Sequence, residues 1–169
     1  MPVNKLAELC KKARAWGAEA KVIRVSTVKT GDWVRYKCQF GCSGYAESLT
    51  CPPYSPSSGE TRGILDSYKK GVFIHLTNHS KKDISDIIVK LEKEAFFAGY
   101  YKAFALGAGP CRLCAKCNLK ACRHPEGARP AMEACGIDVY ATARNNGFKI
   151  HTIDSCRSPA NYFALLLVE

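Results

Sequence analysis

The sequence lacks the long apolar run that a membrane-spanning helix requires. Such a helix takes about 20 consecutive, mostly apolar residues, and no stretch of the 169 residues has that character. No apolar segment typical of a signal peptide follows Met1. We therefore expect a cytoplasmic protein with no membrane partner.

The sequence also lacks the familiar motifs of nucleotide-binding proteins and hydrolases. It has no P-loop, no Gly-x-Gly-x-x-Gly, no Ser–His–Asp set and no paired carboxylates. Low-complexity linkers are missing as well, and 47% of the residues are hydrophobic. We expect one domain over residues 1–169, and whether the protein is an enzyme stays open.

Acidic residues are scarce relative to basic ones. The chain has 15 Asp and Glu against 25 Lys and Arg, a formal net charge of +10. A basic surface suits an acidic protein, a nucleic acid or a phosphorylated ligand. Anionic metal clusters held by thiolates would offset part of this charge, so nucleic acid is the less favoured partner and an acidic redox protein or enzyme the more favoured one.

Cysteine, in contrast, is abundant, with ten residues. In a reducing compartment this number favours metal ligation over disulfides. One run has the spacing Cys-x2-Cys-x2-Cys-x4-Cys over Cys111, Cys114, Cys117 and Cys122. Thiolates this close in sequence are typical of a cubane iron–sulfur cluster, whereas a zinc ribbon separates two Cys-x2-Cys pairs by a dozen or more residues.

A second cysteine motif precedes this run, with Cys38, Cys42 and Cys51 followed by Pro52 and Pro53. Gly41 and Gly44 between the cysteines allow the backbone to turn tightly around a bulky group, and the prolines stiffen the exit. The motif predicts a second [4Fe-4S] cluster, and therefore two clusters per chain.

Seven motif cysteines are one short of the eight that two clusters need. In two-cluster ferredoxins the fourth Cys of a run serves the other cluster, so Cys122 could join the three cysteines of the second motif. The simpler assignment keeps Cys122 with its own run and leaves an iron of the other cluster open to a substrate. The candidates for an eighth ligand are Cys135, Cys156 and His124. Cys10 lies on an apolar helix stripe and is interpreted as a core thiol.

The hydrophobic periodicity predicts an α+β fold, a mixed or antiparallel sheet with helices packed on it and two Cys-rich cluster-binding loops. The predicted helices cover 4–16, 59–69, 81–100 (capped by Ser80), 139–145 (capped by Asp138) and a short segment from Arg129 to Cys135, closed by Gly136. The predicted strands cover 21–28, 33–37, 71–77, 102–106, 149–153 and 162–168. His75, inside the third of these strands, is interpreted as a sheet-face histidine with satisfied hydrogen bonds.

The two motifs together resemble a family of predicted metal-binding proteins of unknown function, common in anaerobic archaea and bacteria. The resemblance rests on Cys38-x3-Cys42-x2-Tyr45-x5-Cys51-Pro52-Pro53, on Gly109-x-Cys111 through Cys122-Arg123, and on Arg129-Pro130-Ala131-Met132-Glu133-Ala134. It implies cysteine-bound metal and an anaerobic context, with no assigned reaction. Cys10, Cys135 and Cys156 lie outside the family's pattern.

These observations predict an iron–sulfur protein that transfers electrons to an enzyme partner in an anaerobe. One alternative is an enzyme or activator that uses an open iron on a cluster with three cysteine ligands. A second alternative is a zinc-stabilised module that binds nucleic acid through its basic surface.

Overall fold

A computed structural model describes residues 4–77 and 81–169, except for the side chains of 81–83. Its described residues form a four-stranded sheet with all neighbouring strands antiparallel and the order β1-β2-β4-β3. The strands are β1 (Glu19–Arg24), β2 (Lys70–Thr77), β3 (Phe104–Leu106) and β4 (Asn161–Leu167). The predicted α+β class is confirmed, and of the two predicted sheet types the antiparallel one is found.

Five α-helices accompany the sheet within the described residues. They are α1 (Lys5–Ala15), α2 (Asp32–Gly41), α3 (Ser58–Leu65), α4 (Lys81–Phe97) and α5 (Val139–Asn145). Short 3-10 turns cover Val25–Thr27 and Glu133–Cys135. In this part of the chain, none of the helices has the length and apolar character needed to cross a membrane.

The two interior strands, β2 and β4, are buried on both faces, because side chains alternate between two hydrophobic cores. On one face Val72 and Ile74 of β2 pack with Leu166 of β4 in a core that includes residues of α1 and α4. On the other face Phe73 packs with Leu165 in a core that includes residues from α3, from α5 and from the 3-10 turn at 133–135. A strand that is buried on both faces has a nearly continuous run of apolar residues. This explains why both β2 and β4 were predictable from the sequence.

The Asp138 helix cap and the sheet histidine agree with the sequence predictions. The Asn4 side chain accepts from the Ala7 N–H, and the Asp138 side chain accepts from the Ala141 N–H at 2.9 Å, so α5 begins where predicted. His75 Nε2 lies 2.8 Å from Asn161 Oδ1, and its ring stacks on Phe163. The predicted cap Ser80 lies outside the described residues.

Two predicted strands are wrong. Residues 33–37 belong to α2, where Val34 alone is buried and the aromatic side chains of Trp33, Tyr36 and Phe40 lie along an exposed stripe. Residues 149–153 form no strand, although Ile150 is buried in the second core.

Among the predicted elements whose boundaries shift, three change the most. The predicted 21–28 strand ends at Arg24, the predicted 59–69 helix ends at Leu65, and the predicted 129–135 helix is reduced to one 3-10 turn closed by Gly136 at φ 74°. In the first two segments Ile23, Val25, Val28 and Leu65 are buried, whereas Val22 and Ile64 are exposed, and the regular element ends before the segment does.

The antiparallel order places three strand ends together. Thr77 at the end of β2 pairs with Asn161 at the start of β4, and Leu106 at the end of β3 pairs with Leu165. The chain that leaves β3 therefore enters its Cys-rich segment beside the start of β4. Both cysteine motifs are found at this end of the sheet.

Candidate metal centre

Helix α2 carries the first cysteine motif. Cys38 lies in its last turn and Cys42 follows at its C-terminal cap, where the Cys42 N–H donates to the Cys38 carbonyl at 3.2 Å. Arg35, on the preceding turn, donates to the carbonyls of Ser55 and Pro56 at 3.0 and 2.5 Å. This guanidinium fastens the helix to the far side of the loop that contains Cys51.

The thiols of Cys38, Cys42 and Cys51 line a cavity of about 320 Å³, here called the three-thiol cavity. A Cβ at Gly44 would lie 3.6 Å from Cys42 Sγ and 3.9 Å from Cys51 Sγ, so Gly44 leaves room where two sulfurs converge. The opposite walls come from 108–110, 131–134 and the first residues of β4, 161–163. Distant segments of the fold thus enclose this cavity.

Two thiols in this cavity, those of Cys38 and Cys51, are difficult to ionise without a cation. Burial raises the pKa of Cys38, and the neighbouring Cys42 and Glu133 raise it further. Burial likewise raises the pKa of Cys51, with added contributions from Cys42, Cys38 and Cys111. A bound metal reverses this balance because its positive charge stabilises the thiolates, so metal binding here releases protons.

The second motif lies on a loop that leaves β3 and returns to it. The Gly107 N–H donates to the Pro130 carbonyl at 2.8 Å, and the Met132 N–H donates to the Gly107 carbonyl at 3.1 Å, which closes the base of the loop. Residues 108–130 contain no helix or strand in the described structure. The conformation of the loop therefore depends on its anchors and on any group that its side chains bind.

One partly buried ion pair is the main side-chain anchor of this loop. Arg129 donates to Glu92 of α4 through Nε at 2.8 Å and Nη2 at 2.5 Å, and the two side chains are 15% and 13% exposed. Glu92 also accepts from the Ala105 N–H at 2.6 Å. The pair thus ties the loop to a helix and to a sheet strand at once.

The four cysteines of this loop line a small cavity of about 30 Å³, here called the four-thiol cavity. Residues 48–50 of the first motif's loop and His124 also line it. Its cysteine ligand candidates are Cys111, Cys114, Cys117 and Cys122.

The structure therefore brings the seven predicted ligands together in two groups, three and four. In this grouping Cys122 lies with its own run, beside residues 48–50 of the first motif's loop. The two loops approach each other, since a Cβ at Gly44 would lie 3.8 Å from Pro110 Cβ. The segment that leads into the first motif is α2, where the sequence predicted a strand at 33–37.

The donor chemistry of both cavities fits a thiolate-ligated metal group. Thiolates suit zinc, copper(I) and iron–sulfur clusters. Among the described residues no three His, Cys, Asp or Glu side chains form a ready-made single-ion site. A tetrahedral zinc ion draws its sulfur ligands to about 2.3 Å from one point, whereas the ligands of a cluster bind separate irons and so lie farther apart.

None of the other three cysteines lines either cavity in the described chain. Cys10 is 3% exposed in the core between α1 and α4, which confirms the core interpretation. Cys135 is 1% exposed, and burial raises its pKa to about 12. Cys156 is exposed. All ten cysteines are described, and none forms a disulfide.

Some site residues were missed by sequence reasoning. Glu92 resembles any polar residue on an amphipathic helix, and nothing in the spacing of Asn161, Tyr162 and Phe163 connects them with a cysteine loop. Arg129 carried one signal, its place in the segment on which the family resemblance rests. Its ion-pair partner, Glu92, can be identified only from the folded structure.

Neither the curated proteins nor the solved structures contain a match to this chain. A family model does match, over residues 21–168, and its description is "predicted metal-binding protein (DUF2284)". The matched range includes both cysteine motifs, both thiol-lined cavities and the Glu92–Arg129 pair. The chain therefore belongs to this family of predicted metal-binding proteins.

Proposed function

We propose that the protein is an iron–sulfur protein that holds two [4Fe-4S] clusters and passes electrons to an enzyme partner. One observation carries the proposal: the seven motif thiols line two adjoining cavities, three in the larger and four in the smaller. Cys38, Cys42 and Cys51 would bind one cluster. The other would be bound by Cys111, Cys114, Cys117 and Cys122.

The chain's own residues would support such a role by holding the two groups close together. Each cluster, when bound, can accept and release one electron. Cys111 lies near enough to Cys51 to affect its pKa, and Pro110 lies beside Gly44. This contact gives electrons a short path from one thiol group to the other.

Basic side chains on the outer surface of the second loop support an acidic partner. Arg112, Lys116, Lys120 and Arg123 are all exposed there. A positive surface steers the approach of an acidic protein and sets its orientation. The free state of all ten cysteines supports placing the protein in a reducing compartment such as the cytoplasm, and the anaerobic context rests on the family resemblance.

The deciding experiment is a metal analysis of protein purified without oxygen. We expect a brown protein with about eight irons and about eight acid-labile sulfides per chain, as two cubane clusters require. A colourless protein with stoichiometric zinc would overturn the proposal and favour the zinc-stabilised nucleic-acid-binding module.

A second candidate function is an enzyme or activator with an open iron. The observation that favours it is the larger cavity, which has three cysteine thiols among its described lining residues where a cluster takes four. Addition of cyanide, a small ligand for an open iron, should then change the visible and EPR spectra. Unchanged spectra would leave the electron carrier as the better assignment.

A further inference from the structure

A third cavity, of about 280 Å³, lies between α4 and the second cysteine loop and is here called the basic cavity. Helix α4 supplies one wall through Ser85, Asp86, Val89, Lys90 and Lys93. The loop supplies the other wall through residues 109–113, 127 and 129. Neither cysteine motif by itself predicts the basic cavity.

The basic cavity has four cationic lining residues, Lys90, Lys93, Arg112 and Arg129, against one acidic residue, Asp86. Arg129 is engaged by Glu92, and Lys90 Nζ lies 4.1 Å from the centroid of the Trp16 ring. Lys93 and Arg112 are exposed and form no hydrogen bond or ion pair with any residue that the structure describes. These two cations, one on each wall, are available to an anion.

Apart from Ser85, Asp86 and Cys111, the remaining lining is apolar or glycine. Val89, Pro110 and Leu113 contribute aliphatic surface, and a Cβ at Gly127 would lie 3.3 Å from Leu113 Cδ1. A side chain at position 127 would therefore narrow the cavity. Apolar walls with a few charged groups at fixed places are typical of small-molecule sites, whereas a purely solvated basic surface has no such walls.

The position of the basic cavity connects it with both metal sites. It shares Gly109 and Pro110 with the three-thiol cavity, and Cys111 and Leu113 with the four-thiol cavity. A molecule bound here would lie against the backbone that separates the two thiol groups.

We propose that the basic cavity binds a small organic anion, with its carboxylate or phosphate between Lys93 and Arg112 and its apolar part against Val89, Pro110 and Leu113. This site goes beyond the proposed function and holds whether the thiols bind iron or zinc. Because the site lies beside Cys111, a bound anion affects the metal group, and the metal group in turn affects the affinity for the anion.

The test is calorimetric titration of the anaerobically purified protein with phenyl phosphate and with benzoate, using benzyl alcohol as the neutral counterpart. We expect saturable one-to-one binding of at least one anion, and the better of the two identifies the head group. In the Lys93→Gln/Arg112→Gln double variant the affinity should fall about tenfold or more, because charge-assisted hydrogen bonds are lost.

The matched control is Lys116→Gln/Lys120→Gln, which removes two cations of the same loop that do not line the cavity. Its affinity should stay within about twofold of the unchanged protein. No saturable binding of either anion, equal affinity in the Lys93/Arg112 variant, or equally tight binding of benzyl alcohol would overturn the proposal. Metal content measured on the same samples separates loss of the anion site from loss of the metal.

Discussion

The two thiol-lined cavities are built in different ways. The three-thiol cavity is enclosed by the end of α2, the start of β4 and the 3-10 turn at 133–135, and Cys51 in it is buried. The four-thiol cavity lies on a loop without helix or strand, and Cys122 in it is exposed. The fold shapes the first, whereas the second is shaped by local sequence spacing and by the Glu92–Arg129 pair.

This difference implies different roles for the metal. Around the three-thiol cavity, hydrophobic packing and Arg35 already hold the walls in place. Around the four-thiol cavity few apolar side chains are buried, so metal binding would supply much of the order. Loss of metal should therefore leave the first region folded and loosen the second.

The largest expected effect comes from removing one thiol from each cavity. Cys114→Ser should lose about four of eight irons and make residues 107–130 sensitive to protease. Cys42→Ser should lose a similar amount of iron and keep that segment protected. Iron analysis and limited proteolysis with mass spectrometry provide the measurement.

The control for this comparison is Cys156→Ser, which removes an exposed thiol that lines neither cavity. It should keep its full iron content. Identical cleavage patterns for Cys114→Ser and Cys42→Ser would show that the two regions respond to metal as one unit.

A smaller effect is expected from breaking the anchor of the second loop. Arg129→Ala leaves the partly buried Glu92 without its cationic partner, and the free energy of unfolding should fall by about 2 kcal/mol. Urea denaturation under anaerobic conditions measures this. Arg123→Ala, on the exposed side of the same loop, should change stability by less than about 0.5 kcal/mol, and an equal loss in both variants would contradict the role given to the pair.

The pH dependence of stability tests the buried thiol in the core below the three-thiol cavity. Burial raises the pKa of Cys135 from 9.0 to about 12. Its contribution to stability is therefore fully present below about pH 9 and is lost as the pH rises, because the unfolded chain releases the proton first. Between pH 9 and 10.5 the loss should be about 2 kcal/mol, at 1.36 kcal/mol per pKa unit.

Cys135→Ala removes this titration, so its stability should fall less steeply than that of the unchanged protein over the same pH range. Urea midpoints at several pH values give the two slopes. Its iron content should be unchanged, since Cys135 lines neither cavity. Parallel pH profiles would show that the thiol ionises as readily in the folded protein as in the unfolded one.

The smallest effect concerns the helix that begins beside the three-thiol cavity. Asp138 caps α5, whose first residue, Val139, lines that cavity. Asp138→Ala should lower the free energy of unfolding by about 1 kcal/mol and leave the iron content unchanged. Asn4→Ala, which uncaps α1 on the other face of the sheet, should have a similar effect, and iron loss in the Asp138 variant alone would tie the cap to the metal site.

How far the sequence predicted the structure also differs between the two regions. The grouping of Cys111, Cys114, Cys117 and Cys122 follows from local spacing, and the structure shows the same four lining one cavity. The walls of the three-thiol cavity depend on pairing between β2 and β4, about 90 residues apart in sequence. Spacing carries no information about such pairing.

The wrong strand at 33–37 has a related cause. Trp33, Val34 and Tyr36 belong to residue types that are common in strands. The helix is stabilised instead by contacts made elsewhere, chiefly the hydrogen bonds from Arg35 to the carbonyls of Ser55 and Pro56. Tertiary contacts of this kind override local propensity.

The position of β4 in the sheet also determines when the three-thiol cavity is completed during synthesis. β4 comes after both cysteine motifs in the chain, yet it lies between β2 and β3 and its first residues line the three-thiol cavity. Because a chain emerges from the ribosome N-terminus first, all seven motif thiols are exposed before this wall exists. The cavity is completed only after residues 161–167 have joined the sheet, so metal is delivered either to an open, unfinished site on the nascent chain or to the completed cavity.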